Sequence, residues 1–297
     1  MHYKEVKAIL SPQNGMNIYR GCTMGCLYCD ARSKCYRVTH AFEDVEIKQK
    51  ADDMLEHALK RKRTKSMIST GTMNDPYIEL ECELELFRRC LNQIERFEFG
   101  LVLKTRSELI LRDLDILSSI ARKTKCVVII PLSAADDKLS KKLEPGAAIT
   151  SKRVEILKIL RDKGITTIVS IEPIIPFIND DTENIKTILD YCVDAGVYGI
   201  MCEETGILLR DGSKEYFMSA LHRKFPGIEE IYEDKFYDAG EVLSEHSSEL
   251  TGLINKTCDE HGIVRDREEL KRFMREYKNK TNGVQLDMME MLMGNAF

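Results

Sequence analysis

Cys22, Cys26 and Cys29 stand at CxxxCxxC spacing, directly after the short strand-like run Met16-Asn17-Ile18-Tyr19-Arg20-Gly21. Three protein thiolates can hold three corners of a four-iron cluster and leave the fourth iron without a protein ligand. An iron with a vacant position can bind a substrate or cofactor, whereas a closed four-cysteine cage cannot. Tyr28, between the second and third cysteines, makes the pattern CxxxCxYC. The nearest alternative is a structural zinc site that recruits Cys35. Such sites usually pair their ligands as knuckles about a dozen residues apart, and no second pair follows here. A disulfide framework fits worse, because ten cysteines are scattered over 297 residues, a length that needs no stapling. The opening MHYKEVKAILSPQNG has no apolar core, which predicts no secretory leader. Free thiols in a reducing cytosol, and a cytoplasmic location, are the expectation.

At 43% hydrophobic residues, the chain can bury one large domain, or one domain with an appendage. No run approaches the roughly eighteen apolar residues of a membrane span. The formal net charge is −5, aromatics are 7% and tryptophan is absent. That balance favours neither nucleic acid nor anionic lipid as a partner, and no stacking platform for single strands stands out. One local exception is the basic run Lys60-Arg61-Lys62-Arg63-Thr64-Lys65. Cations there usually complement the end of a helix, with phosphate contact as the sharper reading.

Strands and helices must position the thiols, and their signals alternate along the chain. Apolar residues at helical spacing predict a helix over 43–63, and Ser66–Thr70 reads as a buried strand ending in the turn 71–76. A helix near 80–97, a strand over 100–104, a helix over 107–123 and the apolar strand 126–132 follow. A helix at 151–162, a strand at 165–171, a helix at 182–195 and a strand at 197–201 complete six strand-helix units. Near-continuous apolar strands separated by amphipathic helices predict an α/β fold with a parallel sheet. A complete barrel has eight units, so a partial (β/α)6 TIM-type barrel is expected over 1–205. Residues 206–297 read as a helical C-terminal region with a methionine-rich, flexible tail.

In parallel α/β architectures ligands sit at the carboxyl ends of the strands. Ser69, Thr70, Gly71 and Thr72 end the second strand and are small enough for a ligand to approach the backbone. The bland alternative is a tight turn shaped by Gly71 and Pro76. Lys104 ends the third strand, a poor core residue but a sensible carboxylate partner. Ser133 ends the fourth strand, placed to bond a ribose, and Glu172 ends the fifth, facing the same mouth.

CxxxCxYC in this setting resembles the signature of the radical S-adenosylmethionine (SAM) enzymes. Asn17-x-Tyr19-x-Gly21-Cys22, Thr72-Met73-Asn74-Asp75-Pro76-Tyr77, Leu143-Glu144-Pro145-Gly146 and Pro173-Ile174-Ile175-Pro176 are similar to segments of the spore photoproduct lyase-like branch, over roughly residues 5–205. The resemblance implies a 4Fe-4S cluster on Cys22, Cys26 and Cys29 and an external one-electron donor of flavodoxin or ferredoxin type. It implies S-adenosyl-L-methionine chelated to the free iron and cleaved reductively to a hydrogen-abstracting 5′-deoxyadenosyl radical. Tyr28, Lys104 and Ser133 match cofactor-contacting positions of the lyase-like branch, and Thr70, Gly71 and Thr72 stand on the edge that contacts the methionine amino group in the superfamily. The chain also departs from the pattern. Met24 replaces a usual histidine, no glutamate closes the 69–72 edge, and that edge lacks the lyase's hydrogen-donating cysteine. Cys82 falls past the turn, so the sequence argues against dimer repair by the lyase's own mechanism and names no catalytic residue. Two rival readings stand beside the enzyme of unknown substrate: a DNA-lesion repair lyase acting on nucleic acid, and a non-catalytic iron-sulfur electron carrier or sensor.

Overall fold

A computed structural model describes residues 1–202, 205–236 and 240–280 of the chain. Near its start, β1 (His2–Lys4), β2 (Tyr19–Arg20) and β3 (Glu46–Lys48) form a small sheet in the order β1-β3-β2. The main sheet holds β4 (Met67–Thr70), β5 (Gly100–Lys104), β6 (Cys126–Pro131), β7 (Thr166–Ser170) and β8 (Gly199–Met201), adjacent in chain order and all parallel. A parallel strand covered on both faces must be apolar at nearly every position. β6 meets that demand, since all six of its residues are buried.

The covering helices bury one stripe each. Helix Leu86–Arg96 hides Leu86, Phe87, Cys90, Leu91 and Ile94, the spacing of a one-sided helix. Each such large side chain contributes about 1.5–3 kcal/mol when fully buried. Helix Thr182–Ala195 starts at Asp181, whose carboxylate accepts the Asn184 N–H and satisfies one orphan donor of the first turn.

Isolated parallel bridges extend the sheet at both edges, Gly15 to Ser69 beside β4 and Gly199 to Val264 beside β8. The first of the six expected units is therefore reduced to the residues around Gly15, with the Met16 N–H bonded to the Ser69 carbonyl at 2.7 Å. The whole is an α/β partial barrel, as its sequence predicts.

Two expectations are corrected. Residues 43–63 are not one helix: Glu46–Lys48 is β3, and the helix runs over Ala51–Arg61. Cross-strand partners far away in the chain, His2–Lys4 and Tyr19–Arg20, override the helical spacing. Beyond residue 205 the chain is not purely helical either. β9 (Gly206–Leu208) and β10 (Glu241–Leu243) pair antiparallel around helices Ser213–Lys224 and Ile228–Phe236. This excursion builds a second core in which Ile207, Phe217, Leu221, Tyr232 and Val242 meet Leu27 and Leu143. Helix Ser247–His261 then returns to the main core through Leu250, Ile254 and Cys258. The boundary expected near 205 lies beside residues 203–204, and the methionine-rich tail falls beyond 280, both outside the described residues. Among the described residues no helix is long and apolar enough to cross a membrane.

Candidate active site

The cysteine loop is held by backbone bonds before any side chain acts. Cys22 N–H donates to the Phe42 carbonyl at 2.9 Å, and its sulfur accepts the Met24 N–H at 3.5 Å and a second N–H from Asp75. Leu27 N–H reaches the Leu143 carbonyl at 3.0 Å, and Gly146 N–H reaches the Met24 carbonyl at 2.8 Å. A Cβ on Gly146 would stand 2.8 Å from Met24 Cα, so only glycine lets segment 143–146 cradle the loop this closely. Cys22 and Cys26 are buried and Cys29 is half-buried. Burial pushes the Cys22 thiol up to about 11 and also raises Cys26 and Cys29. A bound metal must therefore displace these protons, which couples metal uptake to deprotonation.

Behind the loop lies an ionic network centred on the buried pair Glu144 and Arg153. Glu144 accepts from the Tyr28 hydroxyl, from Arg106 Nε at 3.0 Å and from the Arg153 guanidinium. Burial alone would raise its carboxyl, but the two guanidiniums and the Tyr28 hydroxyl outweigh that and hold it at about 2. Arg153 also bonds the Pro131 carbonyl at 2.6 Å and Ser140 Oγ at 2.9 Å, which locks segment 143–146 to the end of β6. Asp75 makes the equivalent tie on the other side. Its carboxylate accepts from Tyr77 N–H at 2.9 Å, Thr105 Oγ at 2.8 Å and Arg106 N–H at 2.7 Å, joining the turn after β4 to the turn after β5. Those bonds only partly offset burial, which raises the Asp75 carboxyl above its ordinary range.

These ties frame a cavity of about 400 Å³ at the carboxyl ends of the strands, large enough for a cofactor-sized ligand. Cys22, Cys26 and Cys29 line it together with Tyr28, Gly71, Thr72 and Lys104. Gly71 has φ +91°, and a Cβ there would fall 1.9 Å from the Lys104 carbonyl oxygen. Lys104 Nζ sits 3.4 Å from Ser170 Oγ, which is in turn 3.3 Å from Glu172 Oε2 on the same wall. Thr70 and Ser133 lie outside the lining. Thr70 is buried, and Ser133 turns inward, with its carbonyl accepting from Asn179 and Asn184 and its hydroxyl buried without a partner among the described residues.

Sequence reasoning passed over Arg106, Asp75 and Glu144 as site residues, because the bonds that join them across the site are distant in the chain: Tyr28 lies 116 positions from Glu144, and Arg106 lies 38 from Glu144 and 31 from Asp75. Position offered a signal for Arg106 alone, which stands two residues beyond the strand end at Lys104. Cys35 and Cys82 are exposed and neither lines the cavity. The mouth is bounded by Gly206, Ile207 and Leu208 of β9, so the excursion after 205 reaches the site. A second cavity of about 370 Å³ adjoins the first through Ala31, Tyr36, Met73 and Asn74, and carries Lys4, Arg20 and Lys48. The basic run 60–65 lies elsewhere, just before the amino end of β4, where Lys62 bonds Asn14 and Lys65 bonds the Phe97 carbonyl.

The thiols, their backbone donors and the adjoining cavity fit a cluster with one face open to a ligand. The family model described as the Radical SAM superfamily matches residues 16–190. An uncharacterized protein of Mycobacterium tuberculosis is 26% identical over 232 residues, covering 74% of this chain and 66% of its own length. An uncharacterized protein of Methanocaldococcus jannaschii is 30% identical over 167 residues, covering 56% of this chain and 61% of its own length. The chain thus spans less than two thirds of either relative. In fold it is similar to a spore photoproduct lyase mutant with bound AdoMet and dinucleoside spore photoproduct, at TM-score 0.62 and 12% identity, over 88% of this chain and 79% of that one.

Proposed function

Because the chain belongs to the radical SAM superfamily, we propose that it is an enzyme of the spore photoproduct lyase-like kind that abstracts hydrogen from a substrate of unassigned identity. When bound, a 4Fe-4S cluster supplies the electron, drawn from a flavodoxin- or ferredoxin-type donor, that splits S-adenosylmethionine into methionine and a 5′-deoxyadenosyl radical. The observation that carries this reading is the sharing of one cavity by three thiols with Tyr28, Gly71, Thr72 and Lys104. Cys22, Cys26 and Cys29 would hold the cluster. The Lys104 ammonium suits the cofactor carboxylate, and the bare backbone at Gly71 lets the methionine end approach. Ile207 and Leu208 give the mouth an apolar edge. Among the described residues, the tyrosines that line the cavity are Tyr28 and Tyr36. Tyr28 is held by Glu144, whereas the Tyr36 hydroxyl bonds Asp30 at 2.9 Å and Arg210 at 3.1 Å. Both hydroxyls donate to a carboxylate, so either tyrosine would have to give up that bond to return a hydrogen to a product radical.

Replacing any one of Cys22, Cys26 or Cys29 with alanine is expected to abolish the absorbance at about 400 nm of anaerobically reconstituted protein. A triple variant that still holds four irons would overturn the reading. Release of 5′-deoxyadenosine under reductant separates an enzyme from a carrier or sensor, which produces none. A second reading, action on nucleic acid, is favoured by the three cations of the adjoining cavity. It requires duplex binding that weakens steeply with salt, and binding that ignores salt removes it.

A further inference from the structure

The small sheet at the start of the chain carries a cluster of side chains that the cysteine site does not use. β1 lies parallel to β3 with His2 opposite Glu46, and the loop before β3 folds His40 against the same point. One ligand nitrogen from each of these two imidazoles and one Glu46 carboxylate oxygen lie within 4.8 Å of one another. The two rings meet edge to face with centroids 4.9 Å apart. Two of the six histidines of the chain are thus spent on one place.

The hydrogen bonds orient both rings as ligands. His40 Nδ1 is 2.9 Å from the Ala41 carbonyl, which can only accept, so the ring proton sits on Nδ1. Its Nε2 is left to face inward, buried, without a hydrogen-bond partner among the described residues, and 3.8 Å from Glu46 Oε2. That nitrogen and the Glu46 oxygen face each other across a gap wide enough to hold a cation between them. His2 Nδ1 is 3.0 Å from Asp44 Oδ2, the carboxylate-to-histidine contact that fixes tautomer and ring orientation in metal sites. Glu46 is only 3% exposed, a buried carboxylate that needs a positive partner. Lys4 supplies one at 2.8 Å, but its side chain is half exposed and can swing into water.

We propose that His2, His40 and Glu46 form a mononuclear site for a divalent cation of the zinc class, distinct from the cysteine site. Two imidazoles and one carboxylate suit zinc and leave a fourth position for water. The ion would pin β1 to the loop over 40–46, whose Phe42 carbonyl holds the Cys22 N–H. It would therefore stiffen the support of the cysteine loop without touching the sulfurs.

The test uses full-length, untagged, anaerobically reconstituted protein, with iron and zinc counted together. One zinc per chain is expected beside the iron. His40→Ala and Glu46→Gln should each weaken zinc binding by at least about ten-fold in a chelator competition while iron content stays unchanged. Lys4→Ala, which removes the competing ammonium, should tighten it. Cobalt(II) in place of zinc should give visible ligand-field bands without a thiolate charge-transfer band. Zinc bound equally well by His40→Ala, or cobalt showing thiolate charge transfer, would overturn the proposal. If Glu46→Gln loses iron as well as zinc, it has misfolded and His40→Ala decides alone.

Discussion

Glu144 sets how strongly the wall of the cysteine cavity depends on one side chain. Its buried carboxylate answers two guanidiniums and a phenol. Removing one member of such a network leaves the others charged and unpaired, at a cost of about 3–5 kcal/mol. Glu144→Gln should lose stability on that scale in urea unfolding at neutral pH, as Arg106 and Arg153 lose their counter-charge. The pH dependence has a definite sign. A folded-state carboxyl at about 2, against an ordinary 4.5, contributes its full stabilisation above 4.5 and loses it as pH falls toward 2. The stability gap between parent and Glu144→Gln should therefore narrow on acidification through that window. A gap that stays constant from neutral pH to 3 would mean the carboxylate is not the source of the stabilisation. Nothing in the local pattern Leu143-Glu144-Pro145-Gly146 marks this glutamate as buried, because its partners come from three other segments of the chain.

At the scale of elements, the five main strands were legible because parallel strands covered on both faces leave long apolar runs, as Cys126–Pro131 does. Glu46-Ile47-Lys48 was misread because one apolar residue among charges fits helical spacing as well as strand alternation. Only its pairing with two distant segments decides it. β9 was invisible for a similar reason, since three residues paired with a partner more than thirty positions away carry almost no periodicity. The turn after β4 was read as small residues admitting a ligand, and the geometry is sharper than that. Gly71 packs its bare Cα onto the end of β5, where a methyl group would strike the Lys104 carbonyl at a φ that costs other residues about 1–3 kcal/mol. Gly71→Ala should therefore push the end of β5 outward and carry Lys104 with it. Iron content should be retained, because the cysteines sit on another segment, while S-adenosylmethionine affinity in equilibrium binding falls by at least about ten-fold, as for supporting residues of other sites. Unaltered affinity would show that Lys104 does not contact the cofactor.

For the molecule as a whole, the cysteine loop is a joint between two cores. Cys22 and Cys26 belong to the large core of the barrel, whereas Leu27, one residue on, belongs to the core of the 206–246 excursion. The excursion is further tied to the residues just after the loop, through Arg210 to Asp30 and Lys34 N–H to the Asp211 carbonyl. Three thiols with raised proton affinity hold no cross-link of their own, so whatever bridges them also fastens one core to the other. A ligand bound only by the folded state at roughly 100 to 1,000 times its Kd stabilises by about 2.7–4.1 kcal/mol. For a chain somewhat longer than about 250 residues, each kcal/mol moves Tm by about 2–4 °C. Stripping iron with a chelator should therefore lower the anaerobic melting temperature by about 5–15 °C. The loss should not be uniform. Amide exchange should accelerate first in the loop around Leu27 and in β9 around Ile207, the two sides of the joint, before the centre of β6 is affected. Equal melting temperatures for stripped and reconstituted protein, or faster exchange spread evenly through β4–β8, would show that the loop does not couple the two cores.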